Sequence, residues 1–148
     1  MTTKAAAAIH NSGAIQSSTG ITMRNDEIIY WTTTGIVVAV MVWSAINFAV
    51  NPAMKGAFAH LGLPNWFRIE LTTAKMLGAL ALVIPAVPAK IKEFAYFGFA
   101  ITLVSAAVAH LSSGDSIYYE IGHSTFFISL VLSYVYHQKR VRRERAAS

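Results

Sequence analysis

The chain has 148 residues, a formal net charge of +5 and no cysteine. That length fits a single domain, and the lack of cysteine excludes disulfide scaffolds, thiolate nucleophiles, Cys-ligated zinc and dithiol redox chemistry. Only 13% of residues are charged and 55% are apolar, against about 25% charged in an ordinary soluble domain.

The shortage of charge is concentrated in long runs, so the chain reads as all-α, a four-transmembrane-helix bundle running up-down-up-down. Residues 1–27 are rich in Ala, Ser, Thr and Gly without periodicity and read as a disordered tail. His10 and Asn11 interrupt the only apolar stretch there, which argues against a cleaved signal peptide.

The first span is expected at about 28–50, with an aliphatic centre from Ile36 to Met41 and a stop at Asn51-Pro52. About 23 residues at 1.5 Å rise cover roughly 34 Å, enough for the bilayer core. The second span, about 66–84, opens after Pro64 with Asn65 as its expected N-cap and closes at Pro85 and Pro88. The third, about 93–111, ends at Ser112-Ser113-Gly114-Asp115, and the fourth covers about 117–136 with Ser116 or Asp115 as cap. A soluble four-helix bundle is the rival fold. It would need a polar stripe on every helix, and 35–45 and 126–132 carry none. The small residues Gly98, Thr102, Ser105 and Ala109 on the third span, and Gly78 on the second, are the expected helix contacts.

Residues 138–148 form a basic tail. It follows an apolar helix directly, so it reads as juxtamembrane and not as a nucleic-acid site: each basic residue near an anionic leaflet gains about 1 kcal/mol. With both termini on one side, that side holds Lys4, Arg24, Lys90, Lys92 and the basic tail, whereas the other holds only Lys55 and Arg68. The positive-inside rule then places both termini in the cytoplasm, and the expected location is the bacterial inner membrane. Tyr30, Trp31, Phe94, Tyr96, Tyr134 and Tyr136 would form the inner aromatic belt, and Trp66, Phe67, Tyr118 and Tyr119 the outer one.

In that orientation Arg68, Glu70, Lys75, His110, Asp115, Glu120 and His123 all fall in the outer halves of the spans, and the inner halves read as dry. Lys75 is the most informative. It lies nine residues beyond Trp66, roughly 13 Å along the axis. A central Lys costs about 2.5–3.5 kcal/mol on insertion scales, so it should face protein and find a partner. Arg68, Thr72 and Lys75 share one face at i, i+4, i+7. Glu70 lies about 140° away from Lys75 on an ideal helix, which leaves Glu120 or Glu70 as the acid. Glu120 and His123 at i, i+3 could join Glu70 and His110 around a mononuclear metal. Each residue also has an ordinary reading. Glu70 and Glu120 suit helix N-termini and His110 a C-terminus; His123 could hydrogen-bond across helices, Lys75 could form a structural ion pair, and Arg68 could anchor the interface. His10, His60 and His137 read as surface residues.

Trp66-Phe67-Arg68-Ile69-Glu70-Leu71, Ala74-Lys75-Met76-Leu77-Gly78-Ala79, Ile84-Pro85, Lys92-Glu93-Phe94-Ala95-Tyr96-Phe97-Gly98-Phe99, Ala109-His110 and Gly114-Asp115 together resemble the DoxX-like family of small four-helix membrane proteins, over about 30–139. The resemblance implies recurrent roles for Glu70, Lys75, His110 and Asp115; the Glu120–His123 pair is not part of that pattern. Family members include a subunit of an archaeal thiosulfate:quinone oxidoreductase and eukaryotic receptor-assembly or cargo factors, so the resemblance implies the fold and leaves the activity open. Three roles are therefore expected as alternatives. One is an accessory bundle binding a small polar or quinone-like ligand, or a membrane partner, in an outer pocket of Arg68, Glu70, Lys75, His110, Asp115, Glu120 and His123. Another is a subunit of a quinone-linked oxidoreductase, with a metal or quinone as its cofactor. The last is a scaffold or assembly factor. The expected partners are the bilayer and either a membrane protein or a second copy of the chain.

Overall fold

The computed structural model describes residues 2–147, with side chains described at 20, 22–118 and 121–147. The side chains of Lys4, His10, Tyr119 and Glu120 lie outside those described. Five helices follow one another: α1 Thr2–Val50, α2 Ala53–His60, α3 Asn65–Val83, α4 Ala89–Ser112 and α5 Ile117–Ala147. No strand occurs among the described residues.

The helix ends follow local chemistry. Nothing before Pro52 breaks α1, and the Ala-rich start favours helix; the helix therefore begins at Thr2, well before the apolar pattern begins at Ile28. Asn51 Oδ1 accepts from the Ala53 amide at 3.0 Å, which starts α2, an element absent from the expected outline. Two helices end on glycine in the left-handed region, Gly62 at φ 72° and Gly114 at φ 70°. After α2, the Leu63 amide reaches Phe58 O at 2.8 Å and Gly62 reaches Ala59 O at 3.0 Å. After α4, Asp115 reaches His110 O at 3.1 Å and Gly114 reaches Leu111 O at 3.2 Å. Both are Schellman caps, in which only glycine takes the required φ without strain.

Two expected caps are different. Pro64, extended at ψ 154°, precedes α3, and Asn65 Oδ1 accepts from Arg68 Nε at 3.0 Å in place of a backbone amide. At α5 the Tyr118 amide points to Ser116 Oγ at 3.5 Å, a long contact, because the Asp115 carboxylate is turned toward two histidines.

The helix α1 packs against α3 and α5, and α4 packs against the same two. The buried face recurs at heptad-like spacing on each: Thr34, Val37, Met41 and Ala45 on α1; Lys75, Ala79 and Leu82 on α3; Lys92, Tyr96, Phe99 and Leu103 on α4; Leu130, Ser133, His137 and Val141 on α5. The apolar centre is Val37, Met41, Leu82, Tyr96, Phe99, Leu103 and Leu130. Gly78 lets α3 and α4 approach closely, since a Cβ there would lie 2.6 Å from the Phe99 ring. Gly98, the first residue of the expected stripe, does not make the contact: nothing lies within 4 Å of a Cβ there. The bulky Tyr96–Phe99–Leu103 face turns inward in its place.

Outside, the polarity is inverted. Ile36, Trp43 and Ile46 of α1, Leu77 and Leu80 of α3, Phe97, Ile101, Val104 and Val108 of α4, and Ile128 and Val135 of α5 are all exposed. Soluble monomers rarely expose a contiguous apolar area on this scale, whereas lipid matches it. Two helical segments are long and apolar enough to cross a membrane, Thr22–Val50 and Ala89–Ser112. Arg68, Glu70 and Lys75 interrupt α3, and α5 mixes aliphatic residues with His123, Thr125, Ser129, Ser133 and His137.

Candidate functional site

The α3 face bearing Arg68 and Lys75 is pressed against the end of α1. Both cations are buried, with 7% and 6% of their surface exposed. Lys75 Nζ donates to Ser44 Oγ at 2.9 Å and sits 3.8 Å from the centroid of the Phe48 ring. Arg68 donates to the Phe48 carbonyl and to Asn65 Oδ1, and its own carbonyl accepts from Thr72 Oγ1 at 2.8 Å. Phe48 thus serves both cations, one through its backbone and one through its ring. Phe58 of α2 packs edge-on against that ring at 4.9 Å. Ser44 and Phe48 escaped the sequence reading, although their i, i+4 spacing on α1 was available as a signal.

Neither cation has an ion pair with a carboxylate among the described residues. Glu70 is exposed, as its 140° offset from Lys75 on the helix allows. The other expected acid, Glu120, lies outside the described side chains.

A second cluster closes the same end. Asp115 is bidentate: Oδ1 meets His60 Nε2 at 2.9 Å and Oδ2 meets His110 Nδ1 at 2.6 Å. The hydrogen bonds from His110 and then from His60 hold the Asp115 carboxyl below the usual carboxylate range. The His110 ring lies 5.4 Å from the His123 ring, tilted by 33°. Asp115 therefore ties α2, the end of α4 and the start of α5 together, with His60, read as a plain surface residue, as one of its partners. No group of three or more His, Asp or Glu side chains able to hold a metal forms among the described residues. A hydrogen-bonded staple is the chemistry this cluster offers.

The opposite end, where the chain's two ends lie, is not dry. Ser133 Oγ is 2.7 Å from both Thr34 Oγ1 and Tyr96 Oη, all three buried. The His137 ring stacks on Tyr30 at 6.1 Å and lies 5.5 Å from Tyr96. Tyr30 and Tyr96 are therefore interior residues, not members of an interfacial belt. Hydroxyls and a near-terminal His carried no charge signal, but their place on the buried heptad faces was legible. Arg143 with Asp26, Arg140 with Glu27 at 3.5 Å, and Gln138 with Glu93 at 2.9 Å stitch α5 to α1 and α4.

The chain has no match among curated proteins or solved structures. The model of the DoxX-like family matches residues 32–133, a span holding α2, α3 and α4 whole, the second part of α1, the first part of α5 and both clusters of the α2 end. With its exposed apolar exterior and two membrane-length apolar helices, this chain belongs to the DoxX-like family and is a small membrane protein.

Proposed function

We propose that the chain is a four-span accessory protein, with α1, α3, α4 and α5 crossing the bilayer of a bacterial inner membrane and both termini in the cytoplasm. Its outer half binds a small ligand that presents an anionic or carbonyl oxygen, such as an oxyanion or a quinone. The observation that carries this reading is the pair of buried cations, Arg68 and Lys75, without a carboxylate among the described residues. A cation inside a bundle costs several kcal/mol unless matched, and one hydroxyl and one aromatic face leave further donor capacity at Nζ. Asp115, His60 and His110 then act as the staple that keeps this end in shape. The mixture of Lys and Arg at the other end supports the orientation.

The test is extraction of the gently purified protein with organic solvent and with water, followed by mass spectrometry. One oxygen-bearing small molecule should accompany the wild type and be lost from Lys75→Met, which still inserts. If the two samples carry the same molecules, or if neither carries one and added quinone or oxyanion shifts neither melting temperature, the ligand reading fails.

A further inference from the structure

A cleft at the end where the termini lie carries an independent inference. It opens between α1, the turn joining α3 to α4, and α5, with a cavity volume of about 90 Å³. Lys92, His137 and Arg140 line it beside Tyr30, Trp31 and Ala89. Lys92 is 7% exposed and forms no ion pair among the described residues. His137 is 3% exposed, and its Nε2 is buried without a hydrogen-bond partner. The two tyrosine rings fix that imidazole in place.

The start of α4 adds to the demand for negative charge. Pro88 caps it without a side-chain bond, and its first turn holds no acid. The amide of Ala89, which lines the cleft, has no carbonyl one turn back, so the positive end of a 24-residue helix dipole lies beside the cleft. Glu144 also lines the cleft, but Arg140 Nε engages it at 3.1 Å.

We propose that this cleft holds the phosphate of an anionic phospholipid headgroup, with Lys92, His137 Nε2 and the α4 N-terminus as its donors. Tyr30 and Trp31 form the wall on which the glycerol region rests. The inference relies on the membrane reading but not on the ligand beside Lys75. Basic pockets between spans on the cytoplasmic side are suited to such headgroups. Free phosphate offers the same chemistry without acyl chains, and the test separates the two.

Full-length protein is delipidated in a nonionic detergent and titrated with short-chain phosphatidylglycerol, short-chain phosphatidylcholine or inorganic phosphate. Bound species are counted by native mass spectrometry. One phosphatidylglycerol should bind at least ten times more tightly than phosphatidylcholine or phosphate. Lys92→Gln should weaken it about tenfold and His137→Phe, which keeps the ring stack, several-fold. Lys90→Gln, exposed on the same turn, should leave it unchanged. Equal binding of the two lipids, equal binding of inorganic phosphate, or an equal loss in Lys90→Gln and Lys92→Gln would each overturn the assignment. A chain that stays in solution without detergent would overturn the membrane reading itself.

Discussion

Replacing Ser44 with alanine should destabilise the protein strongly only while Lys75 is present. The Nζ–Oγ contact of 2.9 Å is a hydrogen bond from a charged donor, worth about 1.5–3 kcal/mol. The Phe48 face at 3.8 Å adds about 2 kcal/mol when desolvated. Together they offset the roughly 2.5–3.5 kcal/mol that a central lysine costs. Lys75→Met, which keeps the chain length and removes both sides of this balance, should therefore change stability by about 2.5 kcal/mol or less. Ser44→Ala should cost about 1.5–3 kcal/mol in the wild type and under about 0.5 kcal/mol in the Lys75→Met background. Reversible unfolding in bicelles, measured on all four members of the cycle, gives the coupling. Hydrogen bonds between neutral groups in membrane proteins average only about 0.6 kcal/mol in such cycles. A coupling at or below that value would mean that Lys75 is uncharged or turned elsewhere, and the cation-lined site would go with it.

Gly78→Val should destabilise by about 1–3 kcal/mol through overpacking, because its side chain would enter the buried Phe99 ring; Phe99→Leu should recover part of the loss in thermal unfolding, and a Gly78→Val protein as stable as the wild type would refute the close approach. Ser133→Ala should cost about 1–3 kcal/mol by removing the buried hydroxyl that bridges Thr34 and Tyr96, whereas the triple change Thr34→Val, Tyr96→Phe, Ser133→Ala should lie much closer to wild type. Asp115 has a lowered pKa in the folded protein, so its contribution is present above the ordinary carboxylate value of about 4 and disappears as the pH falls through its lower folded value; the melting temperature of Asp115→Asn should lack that acid-side drop. Because the chain has no cysteine, single cysteines report topology directly: Lys55→Cys should react with an impermeant maleimide in intact spheroplasts, and Ala146→Cys only after lysis, the reverse pattern overturning the orientation.

Much of the fold was legible in the sequence because strong local signals agree. Asn51-Pro52, Pro64, Pro85, Pro88 and Gly114 mark helix ends, and four apolar segments lie between them. The inward turn of Lys75 was legible for an energetic reason: lipid offers it no partner. What holds it was not, because Ser44 and Phe48 are ordinary residues on an apolar helix and only the α1–α3 contact gives them a role. The expectation of an acidic neighbour came from pairing rules that treat carboxylates as the natural answer to a buried cation; among the described side chains a hydroxyl and a ring meet the ammonium, Glu70 is exposed, and Glu120 lies outside those described. The His60 bond to Asp115 was hidden because it needs α2, and α2, bounded by an Asn cap and a glycine stop, is only eight residues long, too short for a periodic signal. The polar interior near the termini was missed because Thr34, Tyr96 and Ser133 were weighed as uncharged residues and not as members of buried faces.

The Ser133 hydroxyl carries a consequence for biogenesis. It lies on the last helix, yet it satisfies groups on the first and on the penultimate one. Chains emerge from the ribosome N-terminus first, so the earlier segments enter the translocon with two hydroxyls whose partner on α5 has not yet been made. A ribosome that stalls before residue 133 leaves a partly assembled product with exposed polar groups, a mark by which membrane quality control can tell it from the finished protein.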